Sequence, residues 1–343
     1  MSHTPLVSII IPTFNRAHLI GETLTSVLNQ NYKNWECIVV DDGSSDFTKD
    51  LLESFQKKNK RISFYNRPDD RQKGANACRN YGFQFSKGKY IIFLDSDDIL
   101  CETALLNRVK NIELTDCDLL INNSMAFEKR VGDLDIIWNT MESASTNIDL
   151  IIRYLNIDMP WSTNSVTWER NFFNSISGWN ENLSAWQDWE IHCRALFLNP
   201  KIYYVKGMPD NYFRQGNHFS IGNSFKNKEY ILSLYNITLK TDTLIKENFI
   251  SNDKLLKAFK YFAYINLIKI PVDNRLFNIP FKVLFRKDFI IGVKRLQYFK
   301  IYLVELICVS FKMRKYVLKT IYLNQQEIYK RKSTHLKFKL KDI

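Results

Sequence analysis

The chain predicts an α/β fold, with a mostly parallel central sheet flanked by helices and a C-terminal helical extension. Three observations carry this expectation. From residue 6 to about 121, short apolar runs alternate with helical periods, the pattern of successive βαβ units. The strands of this half end in polar residues, most abruptly at Phe93-Leu94-Asp95-Ser96-Asp97-Asp98, and ligands of open α/β sheets bind at the carboxyl ends of strands. Charge divides the chain. Residues 1–224 hold 23 Lys+Arg against 27 Asp+Glu, whereas residues 225–343 hold 25 against 9, so the net charge of +12 belongs to the C-terminal region.

In order, the apolar run Leu6 to Ile11 before Pro12 predicts a strand near 7–11, followed by a helix near 17–29. A second strand near 36–40 leads through the turn residues Gly43-Ser44-Ser45 into a helix near 46–58 that starts at Asp46. Strand 62–65 and helix 73–85 follow. Lys89-Tyr90-Ile91-Ile92-Phe93-Leu94 is short, apolar and β-rich, as a strand buried on both faces should be. Helix 102–114 and strand 118–121 complete the alternation. Residues 125–160 are less regular and are expected to be a crossover or loop. A helix near 187–198 and a strand near 202–206 come next, and beyond about 225 the pattern is helical, aromatic and lysine-rich.

Several classes are disfavoured. The six cysteines show no CxxC pair and no Cys/His ligand spacing, which argues against a zinc site or disulfide framework and suits reduced thiols. The N-terminal apolar run is short for a secretory signal and has no basic leader. No run reaches the ~18 apolar residues of a membrane span. The expected location is therefore cytoplasmic. No nucleic-acid module accompanies the basic charge, and neither GxGxxG nor GxxxxGK follows the first strand.

Three strand ends carry the candidate chemistry: Pro12-Thr13-Phe14-Asn15-Arg16, Asp41-Asp42-Gly43-Ser44-Ser45-Asp46 and Asp95-Ser96-Asp97-Asp98. Three carboxylates within four residues repel one another unless a cation sits among them, so the last segment reads either as a divalent-metal site or as a solvated acidic turn.

Together with Gly74-Ala75-Asn76-Ala77-Cys78-Arg79-Asn80, these segments resemble, in order and spacing, glycosyltransferase family 2. The resemblance covers roughly residues 5–222 and implies the GT-A nucleotide-diphospho-sugar transferase fold. It implies a catalytic domain over 1–224, with a nucleotide-binding half at 5–121 and an acceptor-side half at 122–224, followed by the basic helical region 225–343. By the same resemblance Asp41 would accept a hydrogen bond from a uracil N–H, Pro12 and Thr13 would line the base pocket, and Asn15, Arg16, Gly74, Arg79 and Ser96 would lie along the donor. Asp42 reads equally as a ligand contact or a turn residue. Asp95 would contact ribose hydroxyls and Asp97 would bind Mn2+ or Mg2+ bridging the diphosphate, with Asp98 expected to cap the following helix.

Trp186-Gln187-Asp188-Trp189-Glu190 is similar to the family's Glu-Asp-Trp segment, with Gln187 at its first acidic position. This implies Asp188 as the catalytic base. Gly178-Trp179-Asn180-Glu181 resembles the turn beside the donor sugar, and Trp186 and Trp189 are either sugar-stacking or core residues. His218 would be a second metal ligand. The implied activity is inverting, non-processive transfer from a nucleotide-sugar, a UDP-sugar above all, to a glycan or lipid-linked acceptor in bacterial surface polysaccharide synthesis. A sugar nucleotidyltransferase and an inactive GT-A scaffold are the alternatives. As a single helix, residues 290–320 would gather Lys294, Glu305, Lys312, Lys315 and Lys319 within about 80°, a face suited either to anionic lipid or to plain solvation, so peripheral membrane association is one expectation for residues 225–343.

Overall fold

The computed structural model describes residues 4–138, 140–141, 145–215, 228–249, 251–286, 290 and 294–311. The first half alternates as expected: β1 (Val7–Thr13), α1 (Ile20–Leu28), β2 (Trp35–Asp41), α2 (Thr48–Lys58), β3 (Ile62–Asn66), α3 (Ala75–Phe85), β4 (Tyr90–Phe93). A two-residue strand β5 (Ile99–Leu100) precedes α4 (Ala104–Thr115) and β6 (Leu119–Ile121).

Residues 125–160 are more ordered than expected. They include most of β7 (Ser124–Phe127) and all of α5 (Asn147–Leu155). A capping box starts α5, the Thr146 side chain accepting from the Asp149 backbone while the Asp149 carboxylate accepts from Thr146. The strand β8 (Val166–Glu169) and helix α6 (Arg170–Ser175) follow, then α7 (Gln187–Leu196), β9 (Ile202–Tyr204) and β10 (Asn211–Arg214).

The main sheet has the order β3-β2-β1-β4-β8-β6-β9. It is parallel at β3-β2, β2-β1, β1-β4 and β6-β9, and antiparallel only where β8 meets β4 and β6. Every residue of β1 and β4 is buried, and the pleat sends alternate side chains into two cores. Ile10, Ile91 and Phe93 join one. Val7, Ile9, Ile11, Ile92 and Leu94 join the other, under α1, α2 and α4. The chain runs outward from β1 to β2 and β3 before returning to β4 on the other side of β1, so the carboxyl ends of β1 and β4 flank a topological switch point. A second, three-stranded sheet, β5-β10-β7, lies immediately after the acidic segment.

Five helices follow among the described residues: α8 (Lys228–Asn248), α9 (Asp253–Tyr264), α10 (Ile270–Asp273), α11 (Asn278–Leu284) and α12 (Arg295–Phe311), with a π-helical turn over Ile265–Lys269. Helix α9 packs on α5, the others pack on the π-helical turn, and all five contribute to the first core, which includes residues from Ile10 to Tyr302. Phe262 of α9 stacks on Trp189 with centroids 4.6 Å apart. The expected basic face of the last helix is corrected here. Glu305 points inward, is buried and accepts from the Tyr264 hydroxyl, while Lys312, Lys315 and Lys319 lie outside the described residues. No described helix is long and apolar enough to cross a membrane, and the described cysteines form no disulfide.

Candidate active site

The first wall of the crevice is two loops laced together. Thr13 pairs in register with Asp41, and the Asp42 N–H donates to the Thr13 carbonyl at 2.9 Å. Asn15, in the left-handed region at φ 52°, donates its backbone N–H to Ser44 Oγ at 2.8 Å and accepts from the Ser45 N–H through Oδ1 at 2.9 Å. Arg16 N–H donates to Thr48 Oγ1, and Ala17 N–H to the Asp46 carboxylate. Asp46 therefore precedes α2, which begins at Thr48, and ties the β2 loop to the β1 loop. Buried Asp41 accepts from the Ser44 N–H and hydroxyl. Asp42 is paired with Arg67, as a turn residue would be. The Thr13 hydroxyl is buried with no partner among the described residues, a donor left for a ligand.

The acidic segment alternates in exposure. Ser96 and Asp98 point inward, whereas Asp95 and Asp97 are half-buried. Asp98 accepts from Asn164 Nδ2 and from the Arg214 backbone N–H, both at 2.9 Å, so it anchors the segment to β10 instead of capping a helix. That corrects the sequence expectation, since α4 starts only at Ala104. Burial pushes the Asp98 carboxyl well up, and Asp97 and Asp95 add to it. Asp97 is raised by burial and then by Asp95, against the pull of Arg16, whose guanidinium lies 3.8 Å away.

The third wall is the Gly74 to Asn80 segment, and its role is architectural. Gly74, at φ 130°, admits the chain into α3. Asn76, Arg79 and Asn80 then share a helix face at i, i+3 and i+4. Asn76 Nδ2 donates to the Asn180 carbonyl at 2.7 Å, and the Asn80 amide both accepts from Trp179 N–H and donates to its carbonyl, each at 2.8 Å. Gly178 has φ 69°, and a Cβ there would meet Asn80 Oδ1 at 2.7 Å, so the turn requires glycine. Arg79 donates to Asp95 at 2.7 Å and lies over the Trp179 ring at 4.4 Å.

Asp188 sits in the first turn of α7, where the helix dipole favours a carboxylate. Its carboxyl is raised by burial and by Asp95, while Arg79 and the Thr163 hydroxyl hold it down. The same Arg79 therefore connects Asp95 with the base candidate. Gln187, on the preceding position, donates to the Leu183 carbonyl and reaches Arg79 at 3.5 Å.

Trp189 corrects another expectation. It is 2% exposed, is stacked on Phe262 and donates to the Tyr154 carbonyl, so it is a core residue and presents no face to an acceptor. Trp186 is half-buried and donates its indole N–H to the Tyr230 hydroxyl at 2.5 Å. His218 lies outside the described residues.

Two residues escaped the sequence reading. Arg214 ends β10 and bonds the Asp97 carbonyl at 3.2 Å and Glu22 at 2.5 Å, clamping the acidic segment from outside. Only the pairing of β10 with β7, in which Arg214 lies opposite Phe127, and with the two-residue β5 reveals this, strands too short to leave a sequence signal. His192 lies one turn beyond Asp188, buried against Trp161 and Trp168, with no partner for either ring nitrogen among the described residues. Burial pushes its pKa down to about 3, so it stays neutral.

The donor set bears on a metal. Among the described residues no three His, Cys, Asp or Glu side chains converge. Asp95 is committed to Arg79 and Asp98 to Asn164, whereas half-buried Asp97 has, among the described residues, only the looser contact with Arg16 at 3.8 Å and is the carboxylate that fits a hard cation. One carboxylate completed by phosphate oxygens and water is how Mg2+ and similar hard cations are commonly held.

A parallel sheet split at a switch point, with an acidic turn after β4 and a carboxylate at a helix N-terminus across the crevice, defines a GT-A-type sugar transferase fold. Residues 8–166 match the model of glycosyl transferase family 2, and this segment is a member of that family. A GalNAc(5)-diNAcBac-PP-undecaprenol beta-1,3-glucosyltransferase of Campylobacter jejuni is 41% identical over 101 residues, 29% of this chain and 32% of that protein. The Escherichia coli UDP-Glc:alpha-D-GlcNAc-diphosphoundecaprenol beta-1,3-glucosyltransferase WfgD is 36% identical over 135 residues, 39% of this chain and 47% of that protein. The matches thus span less than half of these relatives. The solved structure of Staphylococcus aureus TarS residues 1–349 with UDP-GlcNAc superposes with a TM-score of 0.60 at 16% identity, over 89% of this chain and 91% of that one, a likeness of fold.

Proposed function

We propose that the protein is an inverting, metal-dependent glycosyltransferase that moves one sugar from a nucleotide-sugar, a UDP-sugar by preference, to a hydroxyl of a glycan or lipid-linked acceptor in bacterial surface polysaccharide synthesis. The catalytic unit in this reading is residues 1–224. The observation that carries it is the position of Arg79, which donates to Asp95 at 2.7 Å and to Gln187, the neighbour of Asp188, at 3.5 Å.

Pro12, Thr13 and Asp41 bind the base, with the unpaired Thr13 hydroxyl available to it. Asn15, Arg16, Gly74 and Ser96 shape the path of the diphosphate, Asp95 meets the ribose, and the Gly178 turn borders the sugar. Asp97, with His218 as a second ligand, would hold a divalent cation, and that cation would supply charge stabilisation for the departing diphosphate. Asp188 takes the proton of the acceptor hydroxyl as that oxygen attacks the anomeric carbon. The bond from that carbon to the diphosphate oxygen breaks with its electron pair, and attack from the opposite face inverts the centre. Burial raises the Asp188 carboxyl, which strengthens it as a base, while Arg79 pulls in the opposite direction.

The relatives' names favour an undecaprenol-diphosphate-linked acceptor and a UDP donor. The test is Asp188→Asn. UDP should still raise the thermal stability of the variant in the presence of Mn2+, whereas sugar transfer to an undecaprenyl-diphosphate saccharide should fall by about 100-fold or more. Full transfer by the variant would overturn the assignment.

A further inference from the structure

The last two described helices carry an apolar surface that no other described residue covers. On α12, Leu296, Phe299, Leu303 and Ile307 recur at helical spacing and are exposed, Leu296 to 65%, while Tyr298, Tyr302 and Glu305 point into the core. Helix α11 lies antiparallel beside it: Tyr302 donates to the Phe277 carbonyl and Arg295 to the Arg286 carbonyl. On and just after α11, Phe281 and Phe285 are exposed, Phe285 to 72%, with rings 4.8 Å apart.

Among the described residues the exposed charge around this surface is positive. Lys282, Lys294, Arg295 and Lys300 are exposed, and the one acid among the described residues from 274 to 307 is the buried Glu305. Protruding aromatic and aliphatic side chains among cations, with no exposed acid among the described residues from 274 to 307, match the boundary between anionic headgroups and acyl chains. A second copy of the chain fits poorly, because a symmetric contact through this face would bring its cations together.

The geometry points to the α11–α12 face as the surface that docks the protein on an anionic lipid bilayer, the phenylalanine and leucine side chains entering the interface and the lysines meeting the headgroups. This differs from the basic face drawn from the sequence, since the contact is apolar first and does not need Lys312, Lys315 or Lys319. It also stands apart from the proposed chemistry, because a docking face requires no particular donor or acceptor.

Co-sedimentation of the full chain with phosphatidylcholine vesicles, with and without about 30% phosphatidylglycerol, tests it. Binding is expected only to the anionic vesicles. Joint Phe285→Ser, Leu296→Ser and Ile307→Ser substitutions should weaken it at least tenfold, and Lys282→Gln, Lys294→Gln and Lys300→Gln each about fivefold. Because all these residues are exposed, UDP-dependent thermal stabilisation should be unchanged, which separates a failed docking site from a failed active site. Undiminished binding of the serine variant overturns the proposal, as does loss of binding only on Lys312→Gln, Lys315→Gln and Lys319→Gln. A wild-type dimer that ignores vesicles and becomes monomeric in the serine variant would assign the face to self-association.

Discussion

Asp188 and His192 show how neighbouring residues on one helix face can be read differently by chemistry. The raised carboxyl of Asp188 predicts that transfer falls with acid at a higher pH than an unperturbed aspartate would give, since protonated Asp188 cannot accept the hydroxyl proton. The acid limb of a pH–rate profile, lost in Asp188→Asn, measures this. His192 is held neutral, its pKa pushed down to about 3 by burial and by Arg79. An unfolded chain would protonate it below about pH 6.5, so the native state loses stability as pH falls through that value, at a limit of about 1.4 kcal/mol per pH unit. His192→Phe should therefore gain on the wild type by about 2 kcal/mol between pH 7 and 5, as read by urea unfolding at both values. Asp188 was legible from its motif. His192 was not, because a histidine on a helix face looks the same whether it meets solvent or three aromatic rings.

At the scale of elements, helix α3 and the Gly178 turn form one device. The alternating strands and helices to residue 121 were legible to within a few residues because burial on both faces forces continuous apolar runs. The antiparallel strand β8 and the small sheet were not legible, since two- and four-residue strands carry too little pattern to stand out. Gly178→Ala should cost about 1–3 kcal/mol through its positive φ and its approach to Asn80, a loss visible as a lower Tm. The small sheet is secured by Arg108, which is buried, grips Asp210 through two 2.7 Å bonds and donates to the Asn164 carbonyl. Arg108→Met leaves Asp210 buried and unpaired and should cost about 3–5 kcal/mol. Because Asn164 also holds Asp98, weaker metal-dependent UDP binding should accompany that loss.

For the whole molecule, removal of divalent cations is the widest test of the proposed chemistry. EDTA should abolish transfer and the thermal shift caused by UDP, and added Mn2+ or Mg2+ should restore both; chelator-resistant transfer would refute the role given to Asp97. The sequence by itself determined the α/β class, the strand ends that meet at the switch point and the segments from which a ligand site is built. These follow from local rules, the period of burial and the short spacing of carboxylates, which need no distant partner. Only the tertiary structure decided which partners hold the carboxylates, and that Asp98 is an anchor and not a helix cap, because Arg79, Asn164 and Arg214 reach Asp95 and Asp98 from remote parts of the chain. It likewise withdrew Trp189 into the core and turned the apolar side of α12 outward. Which face of a helix is covered depends on what packs against it, and that information lies elsewhere in the sequence.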